Sequence, residues 1–267
     1  MKILSPQEIA QASLEAGCRK ASLTDSILKL LVLSMLAGCF IALGGTLSLL
    51  IGQGFGSAAA GNPALPKIMS GAMFPIGLIL IVVLGGELFT GNNALLMPGC
   101  MTRRFGIGTV LRNWTLVWLG NFAGTLLFAW AMVWFSGLTS ADPWHTAIIN
   151  MAQSKCSMSW MMTFVRGIGA NWCVCLAVWL ALSGHTLLEK MAGCWLPVMA
   201  FVALGYEHCV ANMFFIPLGM MEGADISIAT LFTANLIPAT LGNIAGGAIF
   251  VGCLSAWLHL PRQAKKA

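Results

Sequence analysis

The chain has 267 residues, 58% of them hydrophobic and 9% charged, with a formal net charge of +5. A soluble domain needs about 25% charged residues to cover its surface, so water is excluded as the main solvent. The cations are scattered, which excludes a nucleic-acid-binding patch as well.

The N-terminal segment, 1–27, mixes Glu8, Glu15, Arg19 and Lys20 and lacks the short apolar core of a cleaved signal. It reads as an amphipathic surface helix leading into a first span. Beyond it, Leu30–Gly52, Ile68–Gly86, Asn113–Ala141, Gly167–Gly184 and Ile226–Leu258 contain no Asp, Glu, Lys or Arg. Each is near or above the roughly 18–20 residues that cross a hydrocarbon core as a helix. Spans are expected near 28–52, 68–104, 110–138, 160–184, 194–220 and 228–259, followed by a tail at 260–267. This is an all-α polytopic membrane protein with a single transmembrane domain.

Six spans return both termini to one side. That side holds Lys2, Arg19, Lys20, Lys29, Arg103, Arg104, Arg112, Lys190, Arg262, Lys265 and Lys266, against Lys67, Lys155 and Arg166 opposite. The positive-inside rule places the richer side, and both termini, in the cytoplasm.

Two spans cannot be plain helices. Ile68–Thr102 would measure about 52 Å as one rod, and Gly-Gly-Glu-Leu-Phe-Thr-Gly-Asn-Asn at 85–93 interrupts it near its middle. In the fifth span, Tyr-Glu-His-Cys-Val-Ala-Asn at 206–212 does the same. Irregular backbone survives at membrane depth only where protein or a watery cavity satisfies it, so both breaks should line a path. Glu87 and Asn92 have the spacing of Glu207 and Asn212, with Pro98 and Pro217 following. Gly120-Asn121-Phe122-Ala123-Gly124 recurs as Gly242-Asn243-Ile244-Ala245-Gly246. The offsets of 120 and 122 residues indicate a duplication of three spans, 28–138 and 160–259. Three is odd, so the halves insert in opposite orientations, as in channels and transporters.

The nine cysteines form no disulfide framework, and no metal-ligand spacing occurs. No metal, cofactor or catalytic residue is expected. His145, His185 and His259 fall in loops or at span ends, leaving His208 as the one mid-membrane imidazole. A haem anchor would need a second, and Ser183 near His185 is poor evidence for a hydrolase. Intramembrane ionisable groups are functional by default. His208 is expected to be neutral and to offer one N–H. Glu87 and Glu207 are expected to take up freed backbone N–H groups and pin the breaks, with cation coordination as the rival role. Two helix N-termini aimed at the centre favour an anion. Lys155, in the loop before span four, could gather anions, and Asn171 could donate into the path. Phe74, Leu78, Leu88 and Phe201 flank the breaks, either as core packing or as dry constrictions.

The motifs Gly-Glu-Leu-Phe-Thr-x-Asn at 86–92, Glu-His-x-x-Ala-Asn-Met at 207–213 and the paired Gly-Asn-x-x-Gly runs resemble the formate–nitrite transporter family over essentially the whole chain. The wording at 86–93 and the tail length resemble its nitrite branch more than its formate branch. The resemblance implies an aquaporin-like fold, a homopentamer in the bacterial inner membrane with a pore in each subunit, and no enzymatic activity. Small monovalent anions are the implied solutes, nitrite first, as for nitrate assimilation, and formate second. It implies that His208, Thr90, Asn171 and Lys155 meet the anion as donors or a proton relay, His208 giving it a hydrogen bond or a proton, with constrictions at Phe74 and Leu78 externally and at Leu88 and Phe201 internally. It also implies a loop at Glu87–Met97. A passive pore for neutral solutes and a membrane anchor are the readings outside this class.

Overall fold

The computed structural model describes residues 3–261. Lys2, Arg262, Lys265 and Lys266, counted in the charge bias, lie outside the described residues.

Helix α1 (Pro6–Leu23) opens with a capping box: Glu8 N–H donates to Ser5 Oγ, and Ser5 N–H donates to the Glu8 carboxylate. Two otherwise orphan donors are satisfied by one four-residue signal. After it come α2 (Ile27–Gln53), α3 (Ala64–Met73), α4 (Ile76–Leu84) and α5 (Phe89–Met101). The chain continues with α6 (Ile107–Trp134), α7 (Trp144–Ser157), α8 (Trp160–Ser183), α9 (Leu187–Leu204), α10 (Cys209–Met221) and α11 (Ile228–His259). Among the described residues, six stretches are long and apolar enough to cross a membrane: α2, the α3–α4 pair, α6, α8, α9 and α11. Large apolar side chains such as Leu188, Leu196 and Phe135 stand on the outer surface, more than two-thirds exposed. Such a surface suits contact with hydrocarbon or with other apolar protein.

Spans two and five are both discontinuous. Each first half ends at a glycine in the left-handed region, Gly85 (φ 91°) and Gly205 (φ 71°), which lie 120 residues apart. A left-handed C-terminal residue stops the helix and strongly favours glycine. Only 85–88 and 205–208 then intervene before α5 and α10 begin. The loop expected at Glu87–Met97 is therefore mostly helix, because the chain re-enters α5 at Phe89.

The small residues of the Gly-Asn-x-x-Gly runs set how closely the spans approach. A Cβ on Gly124 would lie 2.0 Å from the Met35 carbonyl oxygen, and one on Gly246 would lie 2.3 Å from that of Ile168. Both obstacles are backbone and cannot turn aside. Gly246→Ala should push α11 off α8 and lower stability by about 1–3 kcal/mol. The check is thermal unfolding of the detergent-solubilised protein, and an unchanged midpoint would refute the contact.

Candidate functional site

Each break is held by an asparagine from the third span of its own half. Asn121 Oδ1 accepts the Phe89 N–H at 2.8 Å, while its Nδ2 donates to the carbonyls of Ser34 and Glu87, both at 2.8 Å. In the other half, Asn243 Oδ1 accepts the Cys209 N–H at 2.8 Å. Its Nδ2 donates to Gly167 O at 2.7 Å and Glu207 O at 2.9 Å. A primary amide has two donors and two acceptor sites. It can therefore bind both polarities of broken backbone that lipid would leave bare.

A second matched set lies beside each clamp. Lys20 Nζ meets Glu87 Oε1 at 2.8 Å, and Lys155 Nζ meets Glu207 Oε1 at 2.9 Å. Asn92 Nδ2 donates to Glu87 Oε2 and Asn113 Oδ1; Asn212 Nδ2 donates to Glu207 Oε2 and Asn235 Oδ1. Asn113 Nδ2 donates to the Lys20 carbonyl and Asn235 Nδ2 to the Lys155 carbonyl. Lys20, Glu87, Asn92 and Asn113 thus repeat as Lys155, Glu207, Asn212 and Asn235. The matched set draws in helices α1 and α7, which precede the stretches expected at 28–138 and 160–259.

Several expectations change here. The carboxylates of Glu87 and Glu207 hold a lysine and an asparagine amide; the freed N–H groups of Phe89 and Cys209 go to Asn121 and Asn243 instead. Lys155 sits in the last turn of α7, not in a loop, and is already ion-paired. Lys20, Asn113 and Asn235, and the clamping role of Asn121 and Asn243, were missed. The signal available for Lys20 was its place just before the first span of its half, as Lys155 precedes span four.

At the centre the halves differ. His208 caps α10: the Ala211 N–H donates to His208 Nδ1 at 3.1 Å. A backbone N–H can only donate, so Nδ1 carries the lone pair and the neutral ring bears its proton on Nε2. Nε2 lies 3.0 Å from Thr90 Oγ1, in the first turn of α5. Phe201 stacks on the imidazole at 5.6 Å between centroids. By the 120-residue offset, Leu88 stands opposite His208 and Val210 opposite Thr90. The repeat counterparts of the one polar pair are thus both apolar.

Asn171 does not face a path. Its Nδ2 approaches Asn243 O at 2.6 Å, Asn93 Oδ1 at 3.1 Å and Thr90 O at 3.2 Å, and its Oδ1 accepts from the Cys175 thiol. Two amide protons serve three acceptors, which leaves none for an anion. Asn171 sets the backbone position of Thr90.

Two cavities approach this point from opposite ends and share no lining residue. One, of about 300 Å³, is lined by Lys155, Glu207, Phe74, Phe201 and His208. The other, of about 690 Å³, is lined by Lys20, Glu87, Leu78, Leu88 and Gly91. The expected grouping of constriction residues is corrected: Phe74 pairs with Phe201, edge to face at 5.7 Å, on the Lys155 side. Leu78 lies with Leu88 on the Lys20 side. All four are buried to 3% exposure or less.

Inverted halves, discontinuous helices meeting at depth and two blind cavities define a membrane channel or transporter. Residues 7–257 match the family model described as Formate/nitrite transporter. The chain is 43% identical over 247 residues to the Probable formate transporter of Methanothermobacter thermautotrophicus, covering 87% of this chain and 89% of that one. A solved structure titled FNT family ion channel superposes with a TM-score of 0.86 at 29% identity, over 95% of this chain and 99% of that one. Another, titled Pentameric formate channel with formate bound, superposes at 0.77 and 29% identity, over 89% and 99%. The chain belongs to the formate/nitrite transporter family, whose members are channels and transporters rather than enzymes. These names speak of formate, so the nitrite leaning of the 86–93 wording gains no support from them.

Proposed function

We propose that the protein conducts small monovalent weak-acid anions, formate and nitrite, across a bacterial inner membrane through a path in each subunit of a homopentamer. Both termini and the Lys20 cavity face the cytoplasm, in keeping with the positive-inside bias. The fixed tautomer of His208 carries this reading: its Nε2–H donates to Thr90 Oγ1, which leaves the Thr90 hydroxyl proton as the donor at the crossing. The N-termini of α5 and α10 add partial positive charge at the same place.

The tautomer narrows the part His208 plays. Giving up the Nε2 proton would leave an imidazolate, so the ring donates a hydrogen bond and keeps its proton. A bare anion would lose hydration worth several kcal/mol or more between the Phe74–Phe201 and Leu78–Leu88 pairs. A hydronium ion in the cavity can protonate it, leaving water behind, and the neutral acid crosses them more easily. Flux should therefore rise as pH falls. Lys155 and Lys20 are each balanced by a glutamate, so the other cations lining the cavities, Lys67 and Arg166 at one end and Arg19, Lys29 and Lys190 at the other, keep the entrances positive. Formate comes first by the relatives' names and nitrite first by the motif wording.

The test is flux in proteoliposomes with formate, nitrite, chloride and water compared side by side. His208→Phe keeps the ring stack with Phe201 and removes both nitrogens. It should lower formate and nitrite flux by about tenfold or more, the scale of one lost charge-assisted hydrogen bond, while assembly persists. Unaltered flux and pH dependence in that variant would remove His208 from the mechanism. Fluxes indifferent to solute charge would indicate a neutral-solute pore, and no flux at all an anchor subunit.

A further inference from the structure

We propose that the mouth of the Lys20-side cavity binds a small polyvalent anion of phosphate chemistry, and that its occupancy blocks the path from that side. The seven cations of that end among the described residues do not share one environment. Arg112 pairs with Asp25 at the surface, and Arg103 and Arg104 lie outside the cavity lining. Arg19, Lys20, Lys29 and Lys190 all line the cavity, from three different helices: α1, α2 and α9. Lys20 is neutralised by Glu87, the one carboxylate in that lining. No carboxylate of the described residues forms an ion pair with Arg19, Lys29 or Lys190.

A topological charge bias asks only that cations lie on one side. It does not ask three of them, from three elements, to face one hollow. The hollow is also far larger than its proposed permeant: about 690 Å³ against an ion of three heavy atoms. Three converging cations with no counter-charge match an anion carrying two or more negative charges, since clefts lined by one sign focus the field. Arginine adds planar, two-pronged recognition of phosphate oxygens. The opposite cavity has less than half the volume, with Lys67 and Arg166 beside the paired Lys155. Blockade is therefore one-sided. Such an anion is too large and too highly charged to pass Leu78 and Leu88, so it stops in the mouth and excludes permeant anions.

The block rests on the proposed anion path; the binding does not, and the two are measured separately. Calorimetric titration of inorganic pyrophosphate into the full-length protein, in nanodiscs of zwitterionic lipid, should show saturable binding. The combined Arg19→Gln, Lys29→Gln and Lys190→Gln variant should bind at least about tenfold more weakly, as expected for removal of three partly exposed charge contacts. In proteoliposomes, pyrophosphate on the Lys20 side should inhibit formate flux, and on the Lys155 side it should not. No binding, or equal binding by the triple variant, overturns the site. Loss of pyrophosphate binding when phosphatidylglycerol is added assigns the cations to lipid headgroups and overturns the free-anion reading. Binding without one-sided inhibition overturns the block. If no formate flux is seen at all, the proposed function fails while the titration still decides the site.

Discussion

Lys155→Met is expected to destabilise the protein by about 3–5 kcal/mol, the penalty for leaving a buried carboxylate without its cation. The side chain of Glu207 is 3% exposed and that of Lys155 17%, at a separation of 2.9 Å. Two asparagines, Asn212 and Asn235, also donate to Glu207, but neutral amides do not cancel its charge. The double variant Lys155→Met with Glu207→Gln should recover most of the loss. A glutamine oxygen still accepts from those amides, and no ion remains to be desolvated. The measurement is the unfolding midpoint of detergent-purified wild type, single and double variants. A single variant as stable as the double would mean that water reaches Glu207, contrary to its burial. Lys20→Met with Glu87→Gln should behave in the same way, because Lys20 and Glu87 are buried to nearly the same degree.

Asn243→Ala is expected to be as damaging, by a different route. It removes three hydrogen bonds to buried backbone at once, leaving the Cys209 N–H and the Glu207 carbonyl without that partner, while the Gly167 carbonyl keeps its place in the α8 ladder. Each unsatisfied group costs about 1–3 kcal/mol, and no lipid group can replace the lost bonds. A total of about 2–6 kcal/mol follows for the two groups left open. Asn121→Ala should match it within about 1 kcal/mol, since the broken bonds have the same kinds and lengths. Yield of folded protein and unfolding midpoint both report this. A loss below about 1 kcal/mol for either variant would contradict the clamp.

What the sequence disclosed depended on contrast. Glu87, Asn92, Glu207 and Asn212 stood out because carboxylates and amides are rare within apolar runs, and a 120-residue echo between them is hard to miss. His208 was conspicuous for the same reason. Lys20 was not, because a lysine on an amphipathic helix looks like any solvated lysine until folding brings it to Glu87. Asn113 and Asn235 each stand alone in a span, and a lone asparagine does not announce which neighbour it holds. Asn171 was found but misjudged: periodicity cannot separate a face that lines a path from one that packs on α5 and α11. The grouping of Leu78 failed on depth. It lies one turn beyond Phe74, about 6 Å further along the helix axis, enough to carry it past the crossing and towards the other entrance. The carboxylates were given the wrong task because nothing in the spacing shows that an asparagine 34 or 36 residues further on will reach the open N–H first.

The axis relating the halves would admit two His–Thr contacts, one either side of the crossing, and the chain holds one. A traveller from the Lys155 end encounters imidazole first and then isobutyl; from the other end the order reverses. A symmetrical ancestor made of two identical antiparallel halves would have had no preferred heading. Once positions 88 and 208 diverged, the energy profile lost its mirror, and conduction under equal and opposite gradients should be unequal.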